Sequence, residues 1–144
     1  MQHKLVRSLT MLSKIKRIEM VDKQRALAEM QAQLQALNQK IKDIAQSRSF
    51  EIECARHDAT SRVELQHYLD GLHHREKALK KKVYHLADFM IPVQESVRDS
   101  FRDVKSLEIV SQTLQNQIRE KRDKDEQAFL DEISIQSQAR KNHD

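Results

Sequence analysis

The chain has 144 residues, of which 38% are hydrophobic and 33% charged, with one Gly, one Pro and no Trp. Gly and Pro supply most tight turns, so a chain with one of each reverses direction rarely; many short strands are excluded and long helices are favoured. The net charge of +4 is unevenly placed: residues 1–25 hold seven Lys and Arg against Glu19 and Asp22, a local +5 that leaves −1 for the rest and hints at an acidic partner for that end.

The first element opens with "MQHKLVRSLTMLSKIKR", which lacks the unbroken apolar run of a signal peptide. Nowhere does the chain hold the roughly 18 apolar residues that a membrane span needs. With Cys54 as the only cysteine, no internal disulfide can form, and a soluble, cytoplasmic protein with a buried or half-buried thiol is expected. Leu5, Leu9, Leu12, Ile15 and Ile18 start an apolar pattern. From Leu27 a cleaner one follows through Met30, Leu34, Leu37, Ile41 and Ile44, spaced alternately three and four. That is the seam of a coiled coil. Lys23 interrupts it upstream, and the two patterns differ in phase, so a stutter is expected near residues 18–20.

The pattern is lost over "RSFEIECARHDATSR". Ser61 and Glu64 there form a capping-box sequence just before Leu65. The first helix is therefore expected over about 3–57, the turn over about 57–61 and the second helix over about 62–138. The second seam runs through Leu65, Leu69, Leu72, Leu79, Val83, Leu86, Met90, Val93, Val97, Val104, Leu107, Leu114 and Ile118. Glu76, Ser100 and Ser111 interrupt it, with Phe101 and Val110 placed to widen the stripe. Pro92 lies within this helix and is expected to kink it, because Pro lacks an amide hydrogen and crowds the carbonyl four residues back. The expected fold is all-α: one antiparallel coiled-coil hairpin of two long helices, monomeric, with both chain ends at one tip. A continuous helix that dimerises is the alternative.

Chemistry is hard to find in this pattern. The lone Gly71 excludes Gly-rich phosphate loops, and two helices offer no pocket that shuts out water, so no enzyme and no cofactor are expected. His67, Asp70 and His74 share a helix face at metal-ligand spacing, but a solvated polar face opposite Leu65, Leu69 and Leu72 is the favoured reading, and no metal is assigned. Cys54 and His57 are treated the same way. Lys80, Lys81 and Lys82 point in different directions and read as solvated, and nucleic-acid binding is not assigned. Tyr68 either flanks the core or anchors a partner through its apolar ring and polar tip.

The stretches "VELQHYLDGLHHREKALKKKV" and "LQNQIREKRDKDEQAFLDEISIQSQARKN" resemble the FliJ family, the coiled-coil stalk components of bacterial flagellar export, and their YscO counterparts in type III secretion. Tyr68 with Leu72 resembles the family's aromatic residue early in helix two. Asp131 and Glu132, followed by Arg140 and Lys141, resemble its acidic-then-basic tail. Pro92 departs from the pattern. The resemblance implies a non-enzymatic stalk and escort, cytoplasmic and peripheral to the membrane export apparatus. Its terminal end would enter a hexameric export ATPase through Lys4, Arg7, Lys14, Arg17, Asp131 and Glu132. Tyr68 and Leu72 would face the membrane export gate protein, and export chaperones would be further partners. A generic coiled-coil scaffold or tether that dimerises through its seams is the competing reading.

Overall fold

The computed structural model describes residues 2–56 and 62–143. It holds two α-helices, α1 (Gln2–Ala55) and α2 (Arg62–His143), in an all-α helical hairpin. The expected turn at 57–61, with His57 and Ser61, lies outside the described residues. The Arg56 amide donates to the Ile52 carbonyl at 3.2 Å and closes the last turn of α1. Glu64 in the first turn of α2, and Arg140, Lys141 and His143 in its last, carry the charges that a helix dipole favours at each end. α2 continues five residues beyond the expected 138.

The chain divides into two compact units: Met1–Glu19 with Ser100–Asp144 (unit 1), and Met20–Asp99 (unit 2). Both helices contribute to each. In unit 2 the seam residues of α1 from Leu27 to Ile44 are all withdrawn from solvent, as are Leu65 to Val97 on α2 at the same three-four spacing. Ile44, Leu72 and Met90 are the buried apolar residues here. In unit 1 Val104 is buried, together with Ser100 and Ser111. Two helices alone cover only the centre line of their contact, so most other seam side chains remain half-exposed.

Three expectations about the seam need correction. No stutter appears near residues 18–20. The less exposed positions of α1 run Val6, Leu9, Ser13, Lys16, Met20, Lys23, Leu27 without a change of spacing. Leu5, Leu12, Ile15 and Ile18 are exposed instead. A stutter requires local unwinding of the supercoil, whereas Lys16 and Lys23 can stay in register by laying their aliphatic stems along the seam. Second, Glu76, Ser100 and Ser111 do not interrupt the register of α2 but occupy seam positions themselves, and Phe101 and Val110, both exposed, do not widen the stripe. Third, the Cys54 thiol is exposed, because position 54 falls between the seam positions Glu51 and Ala55. α2 is continuous through Pro92, which is exposed and leaves the register of Met90, Val93 and Val97 unchanged.

Candidate partner-binding surfaces

In unit 1, Lys4, Arg7 and Lys14 are exposed and make no ion pair among the described residues. Arg17, the fourth expected member of this basic set, reaches across the hairpin and pairs with Glu108 of α2. Lys105 also approaches Glu108, at 4.0 Å. Arg17 is thereby engaged within the chain, and the free basic set reduces to Lys4, Arg7 and Lys14. Ser13 and Ser111, small residues in the seam, line an open groove of about 740 Å³ beside Arg17 and Glu108. This groove is open to solvent.

Gln2 and His3 line a second groove with Ile118, Lys121, Asp125 and Glu126 of α2, so the first turn of α1 lies beside this part of α2. From Arg119 to His143 every residue of α2 is exposed. Asp131 accepts a hydrogen bond from Gln127 Nε2 at 3.1 Å within its own helix. Neither Asp131 nor Glu132 forms an ion pair with Lys4, Arg7, Lys14 or Arg17 among the described residues. The six residues thus share a unit but not a single contact cluster.

In unit 2, Tyr68 and Leu72 separate. Tyr68 is 43% exposed, whereas Leu72 is 4% exposed and belongs to the core. Of this pair only the Tyr68 side chain is accessible from solvent. His67 and Asp70 are exposed, and Asp70 accepts from Gln66 Nε2 at 3.1 Å. Among the described residues no group of three His, Cys, Asp or Glu side chains converges on a metal-sized site. Lys81 and Lys82 are exposed and unpaired among the described residues, whereas Lys80 is held by Glu76 at 2.9 Å.

Glu76 is the residue whose role the sequence pattern concealed. It accepts from Lys80 on its own helix and from Arg48 Nη2 on α1, and these two cations, Lys80 first, hold its carboxyl down to about 2 from an ordinary 4.5. The Glu76–Lys80 spacing of four was a legible signal. Arg48, seven residues after Ile41 in the α1 seam, was a second.

Comparison with protein-family models, with curated proteins and with solved structures finds no match. Among the described residues no helix is long and apolar enough to cross a membrane.

Proposed function

We propose that this protein is a non-enzymatic stalk and escort of a flagellar-type protein export apparatus. Its terminal end would enter the ring of a hexameric export ATPase, and Tyr68 would face the membrane export gate. The observation that carries this reading is the concentration, in unit 1, of exposed and unpaired Lys4, Arg7 and Lys14 with an α2 segment exposed along its full length from Arg119 to His143. Such a surface suits insertion into a ring: cations steer and orient, and the bare helix supplies contact area. The resemblance to the FliJ family and the all-α hairpin agree with it.

The work done in this reading is mechanical. An asymmetric shaft that touches some subunits of a ring more favourably than others shifts the populations of their states, and only differential contacts can do so. Export chaperones are further partners of the same reading.

The deciding experiment is co-sedimentation with a purified hexameric export ATPase, with ATP hydrolysis measured in parallel. The wild-type chain should bind and raise the hydrolysis rate. The triple charge reversal K4E/R7E/K14E should lower affinity at least tenfold at low salt while leaving the helical circular dichroism spectrum intact. Binding unaffected by the reversal would overturn the assignment of these residues, and no binding by the wild-type chain would overturn the stalk reading itself.

A further inference from the structure

Unit 1 carries two apolar stripes that no part of the described chain covers. On α1, Leu5 and Leu12 are seven residues apart and Ile15 lies three further on, so the three follow one side of the helix, beside the seam rather than in it. On α2, Phe129, Leu130 and Ile133 fall within one turn and share a face; Phe129 is 63% exposed. The charges around the stripes are opposite in sign. Residues 4–17 hold Lys4, Arg7, Lys14, Lys16 and Arg17 and no acidic residue. Residues 123–132 hold Asp123, Asp125, Glu126, Asp131 and Glu132 against Lys124 alone.

We infer that each stripe is the docking surface for the other on a second copy of this chain. The α2 stripe of one protomer, Phe129, Leu130 and Ile133, packs on Leu5, Leu12 and Ile15 of its partner. Direction and charge both permit it. Gln2 and His3 lie beside Ile118–Glu126, and the helices are antiparallel, so residues 129–133 lie past the first turn of α1 and are out of its reach within the same chain. When two copies meet end to end about a two-fold axis, the α2 end of one runs parallel to the α1 start of the other. Asp125 and Glu126 then come to the side of Lys4, and Asp131 and Glu132 to the side of Arg7 and Lys14. A two-fold arrangement uses each stripe once per chain and closes, so it yields a dimer and not a filament. It also lays a third helix beside a seam in which, among the described residues, Val104 is the buried apolar residue of the unit. The pairing does not depend on the export reading. Because it engages the same end of the molecule, a ring that captures that end has to displace the second copy.

Sedimentation equilibrium of the full chain in low salt tests this. The expected mass moves from 17.0 kDa toward twice that value, 34.0 kDa, over about 1–100 µM, the range suited to an interface of a few large side chains. F129E/I133E should weaken association at least tenfold. Because those changes touch exposed positions, helicity should persist. D131K/E132K should also weaken it, and adding R7E/K14E in the same chain should restore it, a rescue that a merely unfolded or insoluble variant cannot show. A mass of 17.0 kDa throughout that range would overturn the proposal, as would a dimer indifferent to both sets of changes. A monomeric chain that still binds the export ATPase overturns the self-pairing alone; a chain that dimerises in this range but, diluted to the monomer, binds no ATPase overturns the export reading alone.

Discussion

Arg48 of α1 and Glu76 of α2, 28 residues apart in the chain, form an ion pair at facing seam positions of unit 2. A coiled coil built from Leu, Ile and Val at every layer can slide by a heptad with little penalty, because one apolar layer resembles the next. A charged pair in the seam has one favourable register, since any slip leaves each charge against apolar neighbours. Arg48 and Glu76 therefore specify how far along each helix the hairpin closes, and Lys80 holds the Glu76 carboxylate from its own helix at 2.9 Å.

This cluster makes stability depend on acid. Glu76 titrates at about 2 in the folded chain, against an ordinary 4.5. A depressed carboxyl contributes stability that is fully present above about 4.5 and is lost as the pH falls toward about 2. Thermal unfolding followed by circular dichroism between pH 6 and pH 2 should show the wild-type Tm falling through that window. E76Q should have a lower Tm than wild type at pH 6 and a shallower fall below it.

The register of the seam predicts a contrast among leucines. Leu34 and Leu107 are withdrawn into the seam, whereas Leu12 is exposed. Leu34→Asp and Leu107→Asp should each destabilise by about 2–4 kcal/mol, as a charge enters the seam unpaired. Leu12→Asp, measured on chain diluted below the range in which two copies pair, should stay within about 0.5 kcal/mol. Urea unfolding of the three variants checks this, and equal losses at Leu12 and Leu34 would restore the stutter.

Tyr68 and Leu72 should part company in the same way. Leu72→Ala should cost about 2–3 kcal/mol through lost burial and the cavity left behind. Tyr68→Ala should leave the urea midpoint almost unchanged and weaken binding to the cytoplasmic domain of an export gate protein. A Tyr68→Ala variant that binds as the parent does removes Tyr68 from that surface.

Two residues disfavour helix in the interior of α2. Nothing lies within 4 Å of the position a Cβ would take at Gly71, and Pro92 interrupts the hydrogen-bond ladder. Gly71→Ala should stabilise by about 1 kcal/mol, and Pro92→Ala by about 1–3 kcal/mol. Both gains should appear as higher Tm values. A loss at either position would mean that the missing amide hydrogen at Pro92 or the bare backbone at Gly71 is required.

The two helices and the seam through Leu27–Ile44 and Leu65–Ile118 were legible in the residues, because a three-four apolar alternation is the pattern of a helical seam, and the loss of that pattern between the two seams favoured the antiparallel hairpin over a continuous helix that dimerises. The same alternation could not rank the competing phases at the start of α1. Leu5, Leu12, Ile15 and Ile18 make a plausible stripe by themselves. Ser13, Lys16 and Lys23 win the seam because the rest of both helices fixes the phase, and a local change would require unwinding.

Burial also separated residues that chemistry had grouped. Tyr68 from Leu72, and Arg17 from Lys4, Arg7 and Lys14, are distinguished by which neighbour each meets across the hairpin, and no spacing within one helix contains that information. The amino-acid sequence by itself determined that this chain forms two long helices that fold together, since periodicity is a local property. The tertiary structure alone decided which stripe each helix buries, which charges are used up inside the chain, and which apolar residues are left facing outward, since those depend on contacts between residues far apart in sequence.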